Sequence, residues 1–128
     1  MTPFGSKVRE FRARRGLSLK KMADDLGVTS AYFSALEHGH RGQPGSGLIQ
    51  QICGYFELSW DEAEDLERLA GLSHPRVVVD TSGLSPAATE LANVLAERID
   101  GMDEDTIEWI LHEIRGRIGA KDQGGPTH

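Results

Sequence analysis

The stretch SLKKMADDLGVTSAYFSALEHG, residues 18–39, decides the fold. Ser18 and Thr29 each precede an amphipathic run and predict helix N-caps, because a hydroxyl there can accept a hydrogen bond from an unpaired backbone N–H. Gly27 lies between the two runs, where glycine ends a helix in the left-handed backbone region without steric cost. The small side chain of Ala23 allows two helices to cross closely. The spacing therefore predicts a helix-turn-helix.

The flanking segments extend this pair to five predicted helices. Residues 6–15 and about 48–57 carry apolar residues at helical spacing, and Ser59 with Glu62 forms a capping box at the start of a fifth helix. The stripe that we expect this fifth helix to bury comprises Trp60, Ala63, Leu66 and Leu69.

The pattern changes after Gly71. Three consecutive β-branched residues, Val77, Val78 and Val79, predict a short strand, and Ser85 and Asp103 then begin two further amphipathic helices. We therefore predict an all-α fold with one short strand. A five-helix domain built around the helix-turn-helix covers 1–71, the strand and two helices cover 72–120, and a flexible tail covers 121–128.

Composition narrows the class of protein. The 128 residues are 38% hydrophobic and 27% charged, which is typical of one small globular domain with an appendage. No apolar run approaches the roughly 20 residues of a membrane span. A single cysteine, Cys53, argues against a disulfide framework or a cysteine-rich zinc module. We expect a cytoplasmic protein.

The sequence offers no pattern for catalysis or for a bound cofactor. The five histidines are scattered, whereas zinc sites need three or four clustered ligands. Cys53 lies on an apolar helical face, and no nucleophile has an activating neighbour in the sequence. We predict no metal, no cofactor and no enzymatic activity.

The net charge of −6 conceals an asymmetry. Residues 1–60 contain eight Lys/Arg and five Asp/Glu, a net charge of +3, whereas residues 61–128 contain six and fifteen, a net charge of −9. Only the front half suits a polyanionic partner.

One set of residues in the front half follows a known order and spacing. It comprises Val8-Arg9-Glu10-Phe11-Arg12, Gly16-Leu17-Ser18-Leu19, Met22-Ala23, Leu26-Gly27-Val28, Phe33, Leu36-Glu37 and Gly39. With these residues, the chain over about residues 5–70 resembles the phage-repressor and Cro, or Xre-type, helix-turn-helix family, whereas residues 72–128 do not. The resemblance implies a five-helix, repressor-like DNA-binding domain, usually that of a dimeric transcriptional regulator acting on an inverted repeat.

In such a domain the third helix lies in the major groove and its first turns meet the base edges. Tyr32 is the expected specific contact, although a half-buried packing role is the alternative. Because the other exposed residues are small, we expect modest direct readout, with DNA shape supplying the rest. The predicted base-contacting residues are Ser30, Ala31, Tyr32, Ser34 and Ala35.

Phosphate contacts are expected from the N-terminus of the second helix and from basic residues beside it. The alternative is a basic face that only contacts water. The predicted phosphate-contacting residues are Ser18, Lys20, Lys21, Thr29 and Arg41, with Arg14 and Arg15 as further candidates. The family resemblance also implies a structural ion pair between Arg12 and Glu37.

The C-terminal half suggests a homodimer. A lone strand leaves its backbone unpaired, so residues 77–79 either pair with the same segment of a second copy or form an extended connector. Two amphipathic helices bury little alone and are expected to pack against a partner chain. The predicted interface comprises Val77, Val78, Val79, Leu91, Leu95, Ile107, Ile110, Leu111 and Ile114.

These observations favour a homodimeric repressor that binds double-stranded DNA at an inverted-repeat operator through the helix at residues 29–38. One alternative is an antitoxin that regulates its own operon and binds a toxin through the acidic C-terminal half. The other is an interaction adaptor that uses the same fold without reading DNA.

Overall fold

The computed structural model describes residues 1–40 and 42–123, with side chains as far as residue 118. The backbone divides into two compact units, Met1–Val78 and Val79–His128. No helix in the described part of the chain is long and apolar enough to cross a membrane. The described helices are α1 (Pro3–Arg15), α2 (Leu19–Leu26), α3 (Ser30–Glu37), α4 (Ser46–Tyr55), α5 (Trp60–Gly71), α6 (Pro86–Arg98) and α7 (Glu104–Gln123), with a short 3-10 turn at Ile99–Gly101.

The helix boundaries follow from the caps. Ser18 and Thr29 adopt extended backbone and accept hydrogen bonds from the N–H groups of Lys21 and Tyr32, as the sequence predicts. Gly27 ends α2 with φ of 75°, in the left-handed region where a side chain would be strained. The helix-turn-helix is therefore specified locally, by two hydroxyl caps and one glycine.

One apolar core holds the first unit together. α1 packs against α3 and α5, α2 packs against α3, and α4 packs against α5. Burial of this apolar surface is the main source of stability for the five helices. The buried apolar residues are Phe4, Val8, Phe11, Met22, Ala23, Phe33, Leu36, Ile49, Ile52, Phe56, Leu66 and Ala70.

The first helix begins at Pro3, three residues earlier than the sequence predicts. The Thr2 hydroxyl caps it by accepting the Gly5 N–H at 3.0 Å. The Thr2 N–H donates to the Glu37 carbonyl oxygen at 2.9 Å, and the Phe4 N–H donates to the Ser73 hydroxyl at 3.0 Å. These bonds fix the first turn of α1 against the end of α3 and against the segment after α5.

The predicted strand at Val77, Val78 and Val79 is wrong. These residues have no regular secondary structure, and their side chains are 72%, 96% and 65% exposed. No strand forms within residues 1–40 and 42–123, so these valines have no described partner for a backbone ladder. β-branched residues favour strands only where a neighbour supplies hydrogen bonds and packing, and that context outweighs the local preference.

Trp60 is also placed differently from the prediction. It is the first residue of α5 and is 85% exposed, whereas Leu66 and Ala70 are buried. A stripe that repeats only every three residues moves about 60° around the helix at each step, so Trp60 and Leu69 lie on opposite sides. The buried face of α5 instead follows the i, i+4 pair of Leu66 and Ala70.

In the second unit, α6 and α7 are amphipathic helices without a closed core. None of the described side chains from residue 79 to 118 is fully buried. The domain limits 1–71 and 72–120 and the tail 121–128 stay predictions, and residues 124–128 lie outside the described residues. The large apolar side chains exposed among the described residues of this unit are Val79, Leu84, Leu91, Val94, Ile99, Trp109, Leu111, Ile114 and Ile118.

The close approach of α1 to the end of α3 predicts that Gly5→Ala is destabilising. A Cβ at Gly5 would lie 2.3 Å from the Glu37 carbonyl oxygen, so the backbone of α1 or α3 must shift. We expect a loss of about 1–3 kcal/mol in the free energy of unfolding, the range for overpacked positions, measured by urea denaturation.

The matched control is Gly54→Ala in α4, where a Cβ would meet no atom within 4 Å. Removing a helical glycine there should stabilise the protein by about 0.5–1 kcal/mol. Equal effects at the two positions would show that the α1–α3 approach is not tightly packed.

Candidate nucleic-acid interface

The N-termini of α2 and α3 supply the polar groups that suit a nucleic acid. The Ser18 hydroxyl accepts the Lys21 N–H at 3.0 Å, and the Thr29 hydroxyl accepts the Tyr32 N–H at 3.0 Å. The first four N–H groups of a helix have no partner within the helix, and each cap satisfies only one of them. The other N–H groups at these two N-termini are therefore donors that a ligand can use. Phosphate oxygens are well suited to such donors, because the helix dipole also favours an anion there.

The third helix has one buried side and one exposed side. Phe33, Leu36 and Glu37 are buried, whereas Ser30, Ala31 and Tyr32 are exposed in its first turn. Tyr32 is 37% exposed. Ser34 and Ala35 are half-buried, so they lie beside the exposed face rather than at its centre. The five predicted base-contacting residues thus include three that are open to an approaching ligand.

The two predicted phosphate-contacting lysines of α2 are each paired within the helix. Lys20 Nζ lies 3.3 Å from Asp24, and Lys21 Nζ lies 3.1 Å from Asp25. Both lysine side chains are more than half exposed, at 78% and 61%. They can therefore reach a phosphate, but each has a carboxylate one helical turn away.

Asp25 has a second partner from α4. The Tyr55 hydroxyl donates to its other oxygen at 2.6 Å. This hydrogen bond, followed by the one from Lys21, lowers the pKa of the Asp25 carboxyl. The same bond raises the pKa of the Tyr55 hydroxyl, because the carboxylate disfavours the phenolate. Asp25 is thus a charged group held at both oxygens.

Arg12 and Glu37 form an ion pair inside the domain. Arg12 Nη1 donates to Glu37 Oε2, and the two side chains are 9% and 3% exposed. The pair joins α1 to the last residue of α3. Because its side chain is directed inward, Glu37 positions α3 and does not face a ligand.

The remaining arginines have other roles or lie outside the description. Arg14 pairs with Glu10 at 2.9 Å and with Glu62 at 3.3 Å. Arg15 donates to the carbonyl oxygen of Phe56 at 2.5 Å, which caps the end of α4. Arg41, a predicted phosphate contact, lies outside the described residues. Arg14 and Arg15 are therefore already engaged within the domain, although each remains partly exposed.

Sequence reasoning did not include Asp24, Asp25 or Tyr55 in the site. The i, i+4 spacing of Lys20 with Asp24 and of Lys21 with Asp25 is a signal that predicts both helical ion pairs. The contact between Tyr55 and Asp25 joins residues 30 apart, and no local pattern reveals it.

No metal centre is found in the part of the chain that the structure describes, where no three His, Cys, Asp or Glu side chains cluster. His38 and His40 stack with ring centroids 6.4 Å apart, and His38 Nδ1 lies 2.9 Å from the Ser34 carbonyl oxygen. Burial raises the pKa of the Cys53 thiol, which keeps it protonated and a weak nucleophile.

The arrangement defines a helix-turn-helix domain, and comparison with known proteins gives the same result. Residues 3–73 match the family model described as a helix-turn-helix domain, and the chain belongs to this family.

Three relatives from Bacillus subtilis (strain 168) each match about half of the chain. The uncharacterized HTH-type transcriptional regulator RghRB is 33% identical over 61 residues, which is 48% of this chain and 44% of the relative. The HTH-type transcriptional repressor RghR is 30% identical over 48% of this chain and 45% of the relative. The HTH-type transcriptional regulator SlrR is 28% identical over 51% and 43%.

The matched segments thus cover less than half the length of these relatives. No solved structure matches the chain with significance.

The buried ion pair predicts a large effect of Arg12→Ala on stability. The substitution leaves Glu37 charged and unpaired in the interior, which costs about 3–5 kcal/mol in comparable cases. The free energy of unfolding, measured with urea by circular dichroism, should fall by that amount.

The matched control is Arg68→Ala, which breaks an exposed pair with Asp65 at 2.6 Å. Exposed pairs contribute about 1 kcal/mol or less. If the two variants lost similar stability, the Arg12–Glu37 pair would not be the constraint that holds α1 to α3.

Proposed function

We propose that this protein is a sequence-specific DNA-binding transcriptional regulator that places α3 in the major groove. The observation that carries the proposal is the exposed first turn of α3, with Ser30, Ala31 and Tyr32, in a helix-turn-helix whose buried face is fixed by the core. Family membership and relatives that are named transcriptional regulators support it.

The proposed contacts divide into two classes. Tyr32, with the small side chains of Ser30 and Ala31, meets base edges, and Ser34 and Ala35 line the side of the same helix. Ser18, Thr29, Lys20 and Lys21 contact phosphates, because they lie at the N-termini of α2 and α3 or in the first turn of α2. Phosphate contacts set the position and most of the affinity, whereas base contacts set the preference for a sequence.

Repression is the proposed mode of regulation. RghR is named a transcriptional repressor, and it is 30% identical to this chain over 61 residues. A repressor needs only to occupy a promoter, which a DNA-binding domain held on its site can do. No additional ligand-binding unit is required by this mechanism.

We also propose that the protein binds DNA as a homodimer joined through α6 and α7. Leu91, Leu111 and Ile114 are 58%, 43% and 45% exposed, which is costly for apolar side chains in water. Leu95, Ile107 and Ile110 are half-buried beside them. A second copy would cover these residues, and two linked DNA-binding domains would bind an inverted repeat far more strongly than one. The proposed interface does not include strand pairing by Val77, Val78 and Val79, because these residues form no strand.

The two contact classes make opposite predictions for specificity. Tyr32→Ala should weaken binding to the preferred sequence by about 1–3 kcal/mol and relax the preference at one base position. Lys21→Ala should weaken binding to all sequences alike and reduce the slope of log K against log salt by about one. Fluorescence anisotropy with selected and scrambled duplexes measures both.

Equal losses on the two duplexes for a folded Tyr32→Ala variant would contradict the assignment of the reading face. Ser34, further along α3, and His38, the residue that follows the helix, would then be the next residues to test.

The dimer proposal predicts that Ile114→Asp converts the protein to a monomer, because a charge buried in an apolar interface is costly. Light scattering should give about twice 14.0 kDa for the wild type and 14.0 kDa for the variant at tens of micromolar.

The matched control is His112→Asp. His112 lies two residues before Ile114, about 200° away around α7, and should leave the mass unchanged. A monomeric wild type would contradict the proposal and leave α6 and α7 available to a different protein.

A further inference from the structure

The second helix carries its own anions beside its cations. Asp24 and Asp25 follow Lys20 and Lys21 by four residues, and each carboxylate is within 3.3 Å of its lysine. One helical turn is about 5.4 Å, which is less than the Debye length of about 8 Å at physiological salt. A phosphate bound by either lysine therefore remains within the field of the neighbouring carboxylate.

The two pairs differ in how firmly the carboxylate is held. The Lys20–Asp24 pair is exposed on both sides, with Asp24 63% exposed. Asp25 is only 32% exposed, and the Tyr55 hydroxyl fixes it from α4 at 2.6 Å. The same hydroxyl favours the ionised carboxylate, so Asp25 keeps its charge at neutral pH. Asp25 is thus a fixed anion, whereas Asp24 is free of this second hydrogen bond.

A fixed anion makes Lys21 less available to DNA. To bind a phosphate, the Lys21 ammonium group must either leave the Asp25 carboxylate or divide its N–H donors between the carboxylate and the phosphate. The hydrogen bond from Tyr55 restrains the Asp25 side chain, so the carboxylate is less able to turn away from Lys21. The cost is the same for every sequence, because phosphate contacts carry no base information.

We propose that Asp25, tethered by Tyr55, competes with DNA phosphate for Lys21 and thereby lowers the affinity of the protein for DNA of any sequence. This inference rests on the proposed function. Asp25 acts here as a positioning residue, since it affects DNA through Lys21 and not through a contact of its own. It limits the electrostatic attraction that supplies sequence-independent binding.

The experiment compares full-length variants by fluorescence anisotropy at about 0.1 M salt, where charges within about 10 Å still interact. Asp25→Asn keeps the shape and an oxygen that can accept from Tyr55. We expect it to bind selected and scrambled duplexes about twofold to fivefold more tightly, the range that corresponds to an exposed ion pair. Tyr55→Phe keeps the charge without the tether and should give a smaller gain.

A double-mutant cycle supplies the decisive comparison. In the Lys21→Ala background, Asp25→Asn should give little gain, because the competition requires Lys21. Glu64→Gln removes the same charge at an exposed position of α5 and should leave the affinity for DNA unchanged. Unfolding curves confirm that each variant is folded.

Three results would overturn the inference. One is an equal gain with and without Lys21, which would indicate general charge repulsion. Another is an equal gain from Glu64→Gln. The third is unchanged or weaker binding by Asp25→Asn when the wild type binds DNA. If the wild type binds neither duplex at low salt, the proposed function itself fails, and the inference fails with it.

Discussion

The ion pair between Arg12 and Glu37 is the interaction on which the geometry of the helix-turn-helix unit depends. It joins α1 to the end of α3 inside the core, where neither charge can be satisfied by water. The Thr2 N–H binds the Glu37 carbonyl oxygen, and Gly5 leaves no room for a side chain against the same backbone. Together these contacts orient α3, so that Tyr32 is exposed while Phe33 is buried.

Local chemistry made much of the fold predictable. Ser18, Gly27 and Thr29 act within one or two turns, so their roles as caps and as a helix end can be inferred from sequence alone. The strand at residues 77–79 was wrong because a strand requires a partner, which local preference cannot supply. Trp60 was misplaced because a three-residue repeat does not follow one face of a helix.

For the candidate site, the helix that carries the proposed base contacts was predictable from sequence, whereas the contacts themselves stay a prediction. The helix that carries Ser30, Ala31 and Tyr32 follows from the family resemblance, and the structure exposes their face. Tyr55 could not be associated with Asp25 from sequence, because only tertiary packing brings α4 to α2. The Lys21–Asp25 pair can be inferred from the i, i+4 spacing within α2, but the hydrogen bond from Tyr55 of α4 to Asp25 is visible only in the folded domain.

The most direct test of the central claim is in-vitro selection of random duplex DNA by the full-length protein, followed by footprinting of the enriched sequence. A homodimer that inserts α3 into the major groove should enrich an inverted repeat. The centres of its half-sites should be about 10–10.5 base pairs apart, or a multiple of that distance, and both should be protected. Absence of any enriched sequence after successive rounds, with binding equal to that of scrambled DNA, would contradict the account.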